Sequence, residues 1–134
     1  MKILLLLLAG VCFITGVDAQ NGWTVQLDGK ELLKATVEDT AANVVNLDEL
    51  MKGSLVVTYK EPRKKGWSRT LMVYDEGDNQ LASEEGYSLT VLPATLKKWA
   101  IKGNSVKVFT VQTSLNPKIA IRARRVHLCT INFF

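Results

Sequence analysis

From Trp23 onward the chain consists of short apolar runs, alternating with period two or nearly continuous, broken by turn residues every 8–14 positions. On a strand, period two sends successive side chains to opposite faces, so each run covers one face of a sheet with apolar groups. Many short runs at such spacing describe an all-β sandwich or barrel. The alternation is plain at Trp23, Val25 and Leu27 and again at Leu33, Ala35 and Val37. Between them, Asp28-Gly29 is a tight hairpin turn suited to positive φ. A short strand is expected over 43–47, followed by one helical turn that Asn46 and Glu49 open as a capping box and Gly53 closes. Segments 55–60 and 69–75 read as a hairpin joined by Glu61-Pro62-Arg63-Lys64-Lys65-Gly66. Leu71-Met72-Val73-Tyr74 is apolar on both faces and belongs in a central strand. A second turn over 75–79 returns the chain through Leu81 to a strand at 87–91.

One helix interrupts the β pattern. Pro93 suits a first helical turn, Leu96, Trp99 and Ala100 share a face, Lys97, Lys98 and Lys102 favour the negative end, and Gly103 supplies a stop. Strands at 106–111 and 119–134 follow. In the last, Ile119, Ile121 and Ala123 are apolar on odd positions, whereas Val126, Leu128 and Thr130 continue on even ones. A strand changes face only by taking in an extra residue, which predicts a β-bulge near Arg124-Arg125. A continuous strand covered on both faces is the alternative. The expected fold is therefore mostly β: a single β-sandwich-like domain over 20–134 with about eight strands and one short helix.

The N-terminus reads separately. Lys2, an apolar run over 3–13 and the small residues of Val17-Asp18-Ala19 predict a signal peptide over 1–19, cleaved before Gln20. The apolar run falls short of the roughly 20 residues that cross a bilayer. Val11 is bulkier than the residue expected before an acylated cysteine, which argues against lipidation at Cys12. The expected location is secreted or periplasmic, with no membrane span after cleavage. Loss of Cys12 leaves Cys129 alone, so no internal disulfide can form and the core must hold the fold.

Motifs for chemistry are few. The sequence has no Gly-rich phosphate loop, dinucleotide fingerprint, paired-cysteine zinc motif or H-E-x-x-H, and no cofactor is expected. With one histidine, a Ser-His-Asp or Cys-His site could be built only around His127, and a blue-copper centre cannot form within the chain. His127 and Cys129 stand at i and i+2 on a predicted strand, so both would point one way and could offer two ligands to zinc or copper. Set against this is a buried thiol beside a hydrogen-bonded imidazole. Asp75, Glu76, Asp78, Glu84 and Glu85 could supply a hydrolytic carboxylate pair or weak calcium ligands, but turn chemistry alone accounts for them.

The basic segment is more pronounced. Lys60, Arg63, Lys64 and Lys65 precede Trp67, and Arg69 follows. Cations beside an indole suit an anionic glycan or lipid headgroup. Nucleic acid would engage the same residues, but secretion argues against it. The competing reading is a solvated loop tip with Trp67 packed inward. Arg122, Arg124 and Arg125 form a second basic cluster.

The stretch Ile121-Arg122-Ala123-Arg124-Arg125-Val126-His127-Leu128-Cys129-Thr130, the 71–81 hairpin and the Ala19-Gln20 junction resemble those of small secreted β-rich proteins of Bacteroidota-type bacteria. The resemblance spans most of the mature chain. It implies an extracytoplasmic location and, since that group has no assigned activity, transfers no catalytic residue. The residues themselves point to a non-enzymatic binding or structural module of the cell envelope. Its expected partner is an anionic glycan, a lipid headgroup or an envelope protein, engaged through 60–69 and 122–125. A metal-dependent or hydrolytic enzyme using His127, Cys129 or the acidic hairpin is the alternative, and an assembly subunit pairing an apolar edge at 131–134 is a third. The formal net charge of +4 conceals an uneven distribution. Residues 20–85 carry 8 basic and 12 acidic side chains, whereas 86–134 carry 8 basic and none acidic. Such a dipole suits either intramolecular pairing or one anion-attracting face.

Overall fold

A computed structural model describes residues 21–48, 52–119 and 123–133. The predicted signal peptide, the Glu49 half of the capping box and Arg122 lie outside them. Among the described residues, nine strands form two sheets. β1 (Gly22–Leu27), β2 (Lys30–Ala35), β4 (Leu55–Lys60) and β7 (Ser88–Val91) make a four-stranded sheet in the order β2-β1-β4-β7. β3 (Val44–Asn46), β5 (Trp67–Asp75), β6 (Gln80–Glu85), β8 (Ser105–Ser114) and β9 (Val126–Asn132) make a five-stranded sheet in the order β3-β9-β8-β5-β6. Every ladder is antiparallel except β3 with β9. One helix, α1 (Pro93–Lys102), connects the sheets between β7 and β8. It is not long enough or apolar enough to cross a membrane, and neither is any other helix among the described residues.

Sequence alternation becomes a core by register. Trp23, Val25 and Leu27 face Tyr59, Val57 and Leu55 across the β1–β4 ladder, and all six are buried. Opposite them, Leu71 and Val73 of β5 align with Thr110 and Val108 of β8, and Cys129 and Ile131 of β9 align with Val108 and Val106. Facing residues on a ladder share a face, so these rows form the inner surface of the second sheet. The Trp23 indole stacks on Tyr59 at 5.9 Å between ring centroids, and its Nε1 donates to the Leu128 carbonyl at 2.8 Å, tying one sheet to the other.

The local turn chemistry is as expected at several points. Asp28 and Gly29 take φ of 52° and 83°, the paired positive values of a two-residue hairpin turn. Pro93 opens α1, and Leu96 and Trp99 are its buried residues. Gly103 is extended rather than left-handed, so the helix stops without using glycine's conformational freedom.

Four expectations are corrected. Segments 55–60 and 69–75 are not a hairpin: β1 and β7 occupy both edges of β4, so the 61–66 connection crosses to the other sheet as an arch. The turn residues marked a reversal but not its partner. The region after the 75–79 turn holds two strands rather than one, because the chain changes sheet at Gly86, whose φ is 127°. Asn46 ends β3 and its Oδ1 is engaged by Asn132 Nδ2 at 3.0 Å, a strand-to-strand contact in place of the expected capping one, and the turn expected after it falls largely on 49–51, outside the described residues. Finally, β9 starts at Val126, and its bulge lies at Leu128 rather than at Arg124-Arg125. Phe109 aligns with His127 and Val108 with Cys129, leaving Leu128 as the extra residue. The bulge falls where an apolar side chain can be fully buried, not where two exposed arginines stand.

The Trp23–Leu128 hydrogen bond carries a prediction. Trp23→Phe keeps most of the aromatic contact but leaves a buried carbonyl unpaired. It should cost about 1–3 kcal/mol, read as a lower midpoint of urea unfolding with unchanged slope.

Candidate functional site

At one end of the sandwich, where β4 ends and β5 begins, the arch crosses between the sheets. Its first residue, Glu61, accepts two hydrogen bonds from Arg69 of β5: Nε to Oε2 at 2.6 Å and Nη2 to Oε1 at 2.9 Å. Arg69 Nη1 also donates to Thr110 Oγ1 at 3.1 Å, and the guanidinium lies 4.3 Å from the Tyr59 ring centroid. The side chains of the pair are only 7% and 6% exposed. Planar, two-pronged pairing is what makes arginine suited to a buried carboxylate. Burial raises the Tyr59 phenol above its ordinary pKa, with the Arg69 charge opposing. Arg69, a candidate anion ligand by sequence, is thus committed to Glu61, eight residues earlier.

The clamp leaves the rest of the arch outside. Arg63, Lys64 and Lys65 are exposed, while Trp67 is half-buried. Trp67 N donates to Lys64 O at 3.2 Å, and Gly66, with φ of 85°, accepts at its carbonyl from Leu115 N at 2.8 Å. The arch is therefore joined to the 115–119 loop that follows β8, which carries Lys118. The Arg63 guanidinium lies 5.0 Å from the Tyr87 ring centroid. Among the described residues no carboxylate pairs with Arg63, Lys64 or Lys65.

The second basic cluster is spent on the protein itself. Arg124 pairs with Glu38. Arg125 pairs with Asp78 at 3.2 Å, and its guanidinium lies 4.6 Å from Tyr74 and 4.4 Å from Phe109. Both anions come from the acidic half of the chain. Glu38 Oε2 also accepts from His127 N at 2.8 Å. That bond, with the Arg124 contact second, holds the Glu38 carboxyl below its ordinary pKa. Tyr74, Phe109 and His127 thus line the outer face of the five-stranded sheet, with Arg125 across the first two.

The bulge at Leu128 also separates the proposed metal ligands. Cys129 aligns with Val108 on the inner face, whereas His127 aligns with Phe109 on the outer one. They point to opposite sides of the sheet, which overturns the shared direction expected at i and i+2. Burial pushes the Cys129 thiol up to about 12. His127 Nε2 lies 2.8 Å from Thr130 Oγ1, and its Nδ1 is buried without a hydrogen-bond partner. No cluster of three or more His, Cys, Asp or Glu suited to a metal ion occurs among the described residues. In the acidic hairpin, Asp75 accepts from Asn79 N at 2.8 Å and Gly77 N at 2.9 Å, which closes the turn and lowers its pKa. Glu76 Oε1 accepts from Asn104 N at 2.9 Å. Asp75 is thus a turn ligand, Glu76 ties the turn to the start of β8, and Glu84 and Glu85 are exposed in β6.

The opposite end is closed by α1. Beside the helix lies an apolar cleft of about 520 Å³, lined in part by Leu27, Leu47, Leu96 and Phe133 and by Lys52 and Lys97. Sequence reasoning missed this cleft, since its walls come from distant segments. It also missed Glu61 as the partner of Arg69, and Tyr87 beneath Arg63. Only the adjacency of an acidic residue to the basic run hinted at the first.

Two predictions follow from the buried groups. Arg69→Met leaves the Glu61 carboxylate buried and unpaired and should cost about 3–5 kcal/mol, while adding Glu61→Leu should recover part of that loss. A double-mutant cycle in urea measures the coupling. Desolvation, with Lys107 second and Glu38 opposing, depresses the His127 pKa, so the unfolded chain binds the proton more readily. Stability should then be steady above about pH 7 and fall as pH drops below the ordinary histidine value of about 6.5. His127→Gln should flatten that part of the stability–pH curve.

A scan against protein-family models and searches of the curated proteins and of the solved structures found no match.

Proposed function

We propose that the protein is a non-enzymatic binding module that works outside the cytoplasm after removal of residues 1–19, and that it recognises an anionic partner through the 61–66 arch. The observation that carries this reading is the contrast between its two basic clusters. Arg69, Arg124 and Arg125 are each paired with a carboxylate, whereas Arg63, Lys64 and Lys65 stand exposed on a clamped arch without one among the described residues. Three adjacent cations in fixed backbone geometry attract polyanions at little ordering cost. The half-buried Trp67 at the base of the arch offers an apolar surface beside them.

The enzymatic alternative loses geometric support, since His127 and Cys129 face opposite ways and, of the hairpin acids, Asp75 and Glu76 are held by backbone amides and Asp78 by Arg125. Strand addition at the 131–134 edge loses support where it is described, because β3 and β8 flank Ile131 and Asn132 on both sides.

Retention on an anionic polysaccharide such as dextran sulfate tests the proposal. Binding should weaken with salt, and replacing Arg63, Lys64 and Lys65 by Gln should reduce affinity roughly tenfold, at about 0.5 kcal/mol per exposed charge. Salt-insensitive retention, or a triple variant that binds like the parent, would refute it.

A further inference from the structure

We infer that the arch end is a docking surface for a bilayer rich in anionic lipid. This rests on the anion-binding reading of the same end and names its partner. The distinguishing observation is apolar. Leu115 is 65% exposed and Ile119 43% exposed, both within 115–119, the first five residues after β8. The Leu115 N to Gly66 O hydrogen bond at 2.8 Å fixes that loop against the arch. Leu115 and Ile119 thus share one end of the sandwich with Arg63, Lys64, Lys65 and Lys118, and Trp67 aligns with Ser114 at the base of the loop.

A polysaccharide would use the cations and gain nothing from exposed leucine and isoleucine. A bilayer uses both. Apolar side chains enter the boundary between headgroups and acyl chains, lysine and arginine meet the phosphates, and tryptophan favours the level between. Of the acidic groups nearby, Glu61 is buried against Arg69, while Glu84 and Glu85 stand exposed in β6, Glu85 accepting from Ser68 Oγ at 3.3 Å, so the cations Arg63, Lys64, Lys65 and Lys118 outnumber the exposed carboxylates. The helix end also exposes Leu92 and Ile101, but Asp28, Asp48 and Glu76 stand among its lysines. Charge complementarity to an anionic surface is therefore a property of the arch end.

Co-sedimentation with vesicles tests this, using equal parts of phosphatidylglycerol and phosphatidylcholine against phosphatidylcholine alone, with dextran sulfate as the soluble polyanion. The parent protein should bind the anionic vesicles and not the neutral ones. Lys64→Gln with Lys65→Gln should lower partitioning about 30-fold, and Leu115→Ser with Ile119→Ser about tenfold. The apolar variant should keep its affinity for dextran sulfate and an unchanged urea-unfolding midpoint, the latter showing that it is folded. Binding to dextran sulfate without binding to anionic vesicles overturns the lipid assignment while leaving the anion reading intact. Vesicle binding that the Leu115 and Ile119 changes do not weaken also overturns it, since headgroup charge alone would then account for the contact. Binding to neither probe overturns both readings.

Discussion

The buried pair of Glu61 and Arg69 is the interaction on which the arrangement of the functional end depends. A sandwich must carry its chain from one sheet to the other, and here that passage occurs over six residues with four charged side chains. Such a segment would ordinarily be loosely held. The two-pronged bond from Arg69 anchors the first residue of the arch to the second sheet, and Tyr59 and Thr110 complete the coordination of the guanidinium. The pair is costly to desolvate, and hydrophobic replacements of the same shape could be as stable. What it supplies is a fixed exit direction for the cations that follow.

The same economy of charge runs through the molecule. The basic C-terminal third supplies Arg124 and Arg125, and the acidic portion supplies Glu38 and Asp78 to meet them. Part of the sequence dipole is therefore cancelled by folding. The three adjacent cations at 63–65 belong to the acidic portion, where averages hide them. Glu38 does more than neutralise: its other oxygen fills a backbone donor of β9 ahead of the point where β3 joins the ladder. A side-chain oxygen thus meets a donor on the sheet edge that the short β3 strand leaves uncovered.

Features set by a few neighbouring residues were legible in advance. Asp28-Gly29 requires positive φ at adjacent positions, and Pro93 with the lysines before Gly103 bounds a helix, so both emerged at the expected places. The mostly β, two-sheet architecture followed from alternation. Strand partnership was not legible, since Pro62 and Gly66 mark a reversal equally well in a hairpin or an arch. The change of face in the last strand was visible, but its position was decided by the burial of Leu128, and that displacement reversed the relation of His127 to Cys129. For the candidate site, the exposed cations were legible and the internal use of Arg69, Arg124 and Arg125 was not, because their partners lie 8, 86 and 47 residues away.

The central claim is that this clamped arch, rather than the arginines beside β9 or the helix end, is the surface that meets an anionic partner. Backbone amide chemical shifts followed through a dextran sulfate titration test it most directly. The account predicts saturable shifts concentrated at residues 60–67 and 114–119, with the amides of α1 and of 124–127 unmoved. Shifts concentrated instead on α1, or on the outer face around Arg124 and Arg125, would contradict it.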